Sequence, residues 1–395
     1  MQKGNKRTLL IMIAFIAEKG NTHSVKKIMS RLVFFFFFII MGNICRKEEG
    51  RAVERRLSSY TGCLLGLAVG DGLGHGPDRL NGYLPTSGYT QLAAYACNGL
   101  LLGMTRGQMS GVMAPPVRYV AMALREWAAG QIWRRETVPA RCWISRSPRL
   151  DYRRCPEPGM LDVLTSGQLG TMEDHASAFG GPGALMNAVP VGLFFDPGRL
   201  PRREIQRLGA ESVALTHGDP AAFLSAAALA HIISRIVWDC QTDLEKLIRE
   251  TAAMLKKQFG REYRQAAEVA AKLLMVRTLA RSGRFTREEA LAQLGWDTAP
   301  QVLGGALYCC LTGVGEPEQI LAEAARWSQA GTAIVGAILG AVWGEEKLPE
   351  TWLEELDEKS VLWELAEDMY RGCPMMKGSQ VFDIEWDAKY VCPEL

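Results

Sequence analysis

Apolar residues recur at spacings of three and four through "AAFLSAAALAHIISRIV", "TDLEKLIRETAAMLKKQF", "REYRQAAEVAAKLLMVRTLARSG" and "REEALAQLG". That is the period of a helix turning one face to a core. Thr242 with Asp243, and Thr286, stand where helix N-caps belong. No stretch alternates with the period of two that a half-buried strand requires. Gly- and Pro-rich stretches break the helical runs, among them "HGPDRLNGYLPTSG", "SRSPRLDYRRCPEPG", "EDHASAFGGPG" and "FDPGRLPR", and read as loops. With no repeat or long linker, the pattern predicts one compact all-α domain from residue 57 to residue 395.

Two stretches interrupt this pattern in a regular way. "SSYTGCLLGLAVGDGLG" places Gly62, Gly66 and Gly70 four residues apart, and "AGTAIVGAILGAVWG" does the same with Gly336, Gly340 and Gly344. Each glycine inside a helix costs about 1 kcal/mol relative to alanine. A run at one-turn spacing therefore predicts a face that another backbone approaches closely, and the two stretches are natural partners for each other.

The first 52 residues do not share the pattern. "MSRLVFFFFFIIMGNICRKEEGRAVERRL" holds an apolar run of about eleven residues, too short to span a bilayer and long enough only for a signal-peptide core. No A-x-A-like cleavage site follows it, "NIC" fails as a lipoprotein box, and "MGNIC" lacks the hydroxyl residue of a myristoylation start, where Arg46 stands instead. In a bacterial gene, a thymine-rich untranslated stretch would encode the phenylalanines and a purine-rich ribosome-binding site would give "RKEEG". Val53 is then a GTG start, and residues 1–52 a spurious or disordered extension.

Composition narrows the function classes. The chain has 395 residues, 48% hydrophobic and 22% charged, with a formal net charge of +2, enough to bury a large core and too near neutrality to suggest a nucleic acid or a membrane as partner. Ten cysteines, including adjacent Cys309 and Cys310, show no metal spacing and suit a reducing cytoplasm better than a disulfide framework. His23, His75, His175, His217 and His231 form no HExxH or HxH cluster, so a zinc site has no support.

In order along the chain, "GCLLGLAVGDGLG", "GGPGALMNAVPVGLF", "ALTHGDPAAFLSAAALAHII", "GALYCCL" and "AIVGAILGAVWGEEKLPETW" resemble the ADP-ribosylglycohydrolase family, to which the dinitrogenase-reductase-activating glycohydrolase also belongs. The resemblance runs from about Leu57 to Trp352. It implies an all-α fold, and an activity in which two magnesium ions hold the ribose while ADP-ribose is hydrolysed from arginine, serine or other adducts.

Carried over residue by residue, the resemblance finds the chemistry depleted. The family's Thr-Asp-Asp-Thr motif falls on Ser87, Gly88, Tyr89 and Thr90, and its Asp-Ser/Thr-Asp-Ser/Thr motif on Trp327, Ser328, Gln329 and Ala330. Magnesium requires hard, preferably anionic oxygens in octahedral geometry, and these positions retain hydroxyls without carboxylates. No cofactor is therefore expected here, although the family implies magnesium. The Met-Arg after the glycine-rich loop becomes Met186 and Asn187, while Gly181 and Gly183 remain to cradle a pyrophosphate with backbone amides. Asp78 aligns with the family's glutamate and is a candidate to orient a ribose or a water. Asp71, at an apparent helix-to-loop junction, reads first as a cap for the next backbone amides and second as a catalytic carboxylate. His217, with Thr216 and Asp219 as helix-start residues, reads as shaping a turn, and Glu173 and Asp174 are placed where they could swing into the cleft.

Three functions follow as expectations. The first is a catalytically inactive homologue that binds ADP-ribose, a related nucleotide or a protein. The second is a hydrolase with rearranged or metal-independent chemistry, and the third a structural partner-binding protein with a closed pocket.

Overall fold

The computed structural model describes residues 56–391 apart from 77–82, 135–136, 149, 151 and 155–156. The extension 1–52 lies outside the described residues. The period-3.6 patterning becomes sixteen α-helices among them: α1 (Leu57–His75), α2 (Gly88–Ser110), α3 (Pro116–Gln131), α4 (Pro158–Ser166), α5 (Ala188–Phe194), α6 (Arg202–Ala214), α7 (Pro220–Asp239), α8 (Leu244–Phe259), α9 (Gln265–Ser282), α10 (Arg287–Leu294), α11 (Ala299–Thr312), α12 (Pro317–Ala325), α13 (Gln329–Trp343), α14 (Glu350–Glu355), α15 (Lys359–Arg371) and α16 (Ile384–Tyr390). The described residues contain no strand; Leu84 and Leu356 form one isolated bridge.

The glycine stripes meet as expected. α1 and α13 run antiparallel, and a Cβ on Gly66 would overlap the Gly336 carbonyl while one on Gly340 would overlap the Gly62 carbonyl. One partner differs: Gly70 faces the carbonyl of Thr332. Gly344 carries the stripe just past the end of α13, where a Cβ on Gly62 would lie 2.7 Å from the Gly344 carbonyl carbon, and it also takes φ 88° as the C-terminal cap, a conformation other residues adopt at a cost.

Around this seam the amphipathic helices pack in pairs: α2 on α3, α6 on α7, and α8 on α9. α7 is long and apolar enough to cross a bilayer, yet 83% of its apolar window is buried inside the domain, which makes it the core helix. Its Asp219 caps it by accepting from Ala221 N at 2.9 Å. Thr286 closes α10 in a capping box with Glu289. At α8 Asp243 alone caps, accepting from Lys246 N, and Thr242 does not.

Candidate functional site

Asp71 lies inside α1, one turn before its end, and is fully buried. It is not at a helix-to-loop junction, and the amides it caps belong to another helix. Its Oδ2 accepts from Ser87 N (2.7 Å), Thr90 N (3.1 Å) and Thr90 Oγ1 (2.7 Å) at the start of α2, and its Oδ1 accepts from Ser87 Oγ (2.7 Å) and from Gln329 Nε2 (2.9 Å) at the start of α13. Burying a carboxylate is expensive unless donors replace water. Here five hydrogen bonds and the positive end of α2 do so.

The two depleted motifs therefore converge on one residue. Ser87 caps α2, its Oγ accepting from Tyr89 N at 3.1 Å while donating to Asp71. Ser328 caps α13, its Oγ accepting from Gly331 N at 3.1 Å. Gly88 and Tyr89, and Gln329 and Ala330, are the first two residues of their helices. Gln329 Nε2 also reaches His75 Nδ1 at 3.4 Å. The Tyr89 phenol is pushed well up by burial and further by the charges of Glu157 and Asp71, so it stays protonated within electrostatic reach of both.

A circuit of contacts closes around this point. From Gln329 it passes to Trp327, whose ring stacks on Trp296 at 6.1 Å and 22°. A Cβ at Gly331 would lie 2.6 Å from the Trp296 ring, so that glycine admits the indole. The circuit continues through Ala299 N, which donates to Gly180 O at 3.0 Å. Along the glycine-rich loop it reaches Gly183 N, which donates to Glu157 Oε1 at 3.1 Å. It ends where Gly88 N donates to Arg154 O at 2.9 Å, back at the start of α2. Arg154 also holds buried Glu358, with Thr86 Oγ1 donating to the same Oε1 at 2.8 Å. Burial raises the Glu358 carboxyl above its usual range, and the Asp71 charge adds to that.

Glu157 is the residue that sequence reasoning missed. It sits in the Pro-Glu-Pro of a loop, with no local pattern to mark it. Its side chain is 32% exposed and its Oε2 lies 3.3 Å from Nε2 of fully buried His217, whose Nδ1 pairs with Thr216 Oγ1 at 2.9 Å. His217 thus does more than shape a turn. The glycine-rich loop is likewise not an empty cradle, since the Glu157 carboxylate already holds the Gly183 amide.

The other expected site residues are placed as follows. Thr90, Met186 and Asn187 are all fully buried. Neither Asn187 Oδ1 nor Nδ2 has a hydrogen-bond partner, an unmet polar pair where the family's arginine is expected. Glu173 turns away to pair with Arg207 at 2.9 Å. Asp78 lies outside the described residues.

The donor set does not fit magnesium. Both oxygens of Asp71 are held by N–H and O–H donors, Gln329 presents its amide N–H, and no group of three or more His, Cys, Asp or Glu among the described residues is placed to hold an ion.

The ADP-ribosylglycohydrolase family profile matches residues 52–378, and the chain belongs to that family. A solved "ADP-ribosylglycohydrolase-related protein complex" shares the fold with a TM-score of 0.54 and 19% identity, over 80% of this chain and 98% of that one. No curated protein matches.

Proposed function

We propose that this chain is a family member without dinuclear magnesium chemistry, one that acts by binding an ADP-ribose-like nucleotide or a protein at the site around Asp71. One observation carries the reading. Asp71, the carboxylate shared by both motif positions, is consumed by hydrogen bonds from Ser87, Thr90 and Gln329, so hydroxyl and amide groups do the holding that a cation and several carboxylates would otherwise do. The stacked Trp296 and Trp327 rings and the retained loop support a site that selects by shape. Among the described residues the cysteines at 63, 97, 240, 309, 310 and 373 are free, which supports a reducing, cytoplasmic setting.

A second reading has its own observation. The Glu157–His217–Thr216 chain supplies a half-exposed carboxylate oriented by a buried imidazole, the kind of pair that acid–base catalysis uses, and it supports a metal-independent hydrolase. Calorimetric titration with ADP-ribose, with and without magnesium, separates the readings when paired with an assay for ADP-ribose release from ADP-ribosylated peptides. Metal-independent binding without release is the expected result. Release that Glu157→Gln abolishes would replace the first reading by the second, and binding only with magnesium would overturn both.

A further inference from the structure

The near-neutral charge of the whole chain averages over one lopsided segment. Between Gln131 and Arg154 the sequence holds seven arginines against only Glu136 and Asp151. Arg134, Arg141, Arg146 and Arg153 are exposed and pair with no carboxylate among the described residues. Two rings stand out to solvent with them, Trp133 at 75% and Tyr152 at 59% exposure. Buried side chains pin the segment in place. Gln91 Nε2 donates to Tyr152 O at 2.8 Å, Gln131 Oε1 accepts from Arg154 N at 2.9 Å, and Glu126 Oε2 accepts from Arg141 N at 2.8 Å. Gln131, at the end of α3, thereby sets Tyr152 and Arg153 beside Trp133 and Arg134.

Trp133 is also strained. It closes α3 with φ 58°, its N–H on Gly130 O and Arg134 N on Ala129 O, the paired closure in which glycine is usual. A bulky residue there carries a backbone cost and, so exposed, recovers little of it by burial. A cavity of 800 Å³ opens beside Tyr152 and Arg153, with Tyr83, Ser147 and Ser360 on its walls, and its carboxylate, Asp357, lies 4.0 Å from the Arg154 guanidinium. We infer that this surface binds single-stranded nucleic acid, the exposed arginines meeting phosphates while Trp133 and Tyr152 stack on bases. Charge alone would serve a duplex or an acidic peptide equally, but neither offers unpaired flat bases to two solvent-facing rings. Because the segment is pinned before it meets a ligand, little ordering entropy opposes binding. Neither reading of the Asp71 site is required for it.

The test is fluorescence anisotropy of the full chain with a labelled twelve-nucleotide oligothymidine, a labelled duplex of the same length and a labelled oligoglutamate. The single strand is expected to bind about tenfold more tightly than either of the others, and free ADP-ribose not to displace it. Affinity should fall between about 50 and 200 mM salt, and Arg134→Gln combined with Arg153→Gln should reduce the slope of log affinity against log salt by about 1.4. Trp133→Gly should weaken binding about tenfold without changing that slope. The same variant should keep or raise the melting temperature, because glycine suits the conformation, so a loss of binding cannot be a loss of folding. The inference is overturned by no binding at low salt, by equal binding of duplex or oligoglutamate, by displacement with ADP-ribose, by an unchanged slope in the arginine variant, or by unchanged affinity in Trp133→Gly.

Discussion

Two ends of one helix pair are built in different ways. Along the middle of α1 and α13, Gly62 and Gly66 face Gly340 and Gly336 with no room for a single methyl group. Where the pair meets the start of α2, Asp71 survives among Ser87, Thr90 and Gln329, with Tyr89 and Trp327 at the positions where family carboxylates are expected. The seam tolerates no substitution, because backbone cannot retreat from backbone. The site is held instead by side-chain donors on Asp71, which can be exchanged for others without moving backbone.

The sharpest way to break the comparison is at the seam. Gly336→Val drives branched carbons into the Gly66 carbonyl, and a loss of about 4 kcal/mol or more in denaturant unfolding, or no folded protein, is expected. A cost under about 1 kcal/mol would mean that the seam is not close-packed.

Asp71→Asn comes next. It keeps the volume but turns an amide N–H toward donors that need an acceptor, and a loss of about 3 kcal/mol is expected in the same measurement. A neutral outcome would show that Asp71 does not clasp the two helices.

Burial without a complete set of partners gives a third effect. His231 is buried with Nδ1 2.8 Å from Gln206 Nε2, and its Nε2 has no partner. Burial first, then the charges of Arg235 and Arg202, lower the imidazole from 6.5 to about 4. The unfolded chain takes up this proton first as pH falls. The contribution is complete above pH 6.5 and is lost between 6.5 and 4, about 3 kcal/mol in all. Stability measured across that interval should follow this slope, and His231→Leu should flatten it.

The smallest effect is an expected null. Magnesium should raise the melting temperature no more than an ionic-strength control does. The combined variant Gly88→Asp, Tyr89→Asp, Trp327→Asp, Gln329→Asp and Ala330→Thr should bring a saturable magnesium shift, whereas either motif restored alone should not. Tyr89 and Trp327 are half-buried rather than on an open loop, so a folding penalty from unstacking Trp296 is part of the expectation. A combined variant that folds and still ignores magnesium would break the assignment of these positions to the family motifs.

The local pattern alone determined the amphipathic helices α7 to α10 and several of their N-terminal ends. Period-3.6 apolar faces, Thr286 before Glu289, and Asp219 before Pro220 depend on neighbours within one or two turns, so they are written in adjacent residues. The glycine spacing likewise announced a close helix pair, since only another backbone explains so many missing side chains. Tertiary structure decided everything that depends on distant partners. Gln329 lies 258 residues from Asp71, and Glu157 meets Gly183 and His217 at separations of 26 and 60. A carboxylate reads the same in sequence whether it awaits a cation or is already saturated by donors. Only packing brings Ser87, Thr90 and Gln329 onto the oxygens of Asp71, and that filled hydrogen-bonding capacity separates a clasp from a metal ligand.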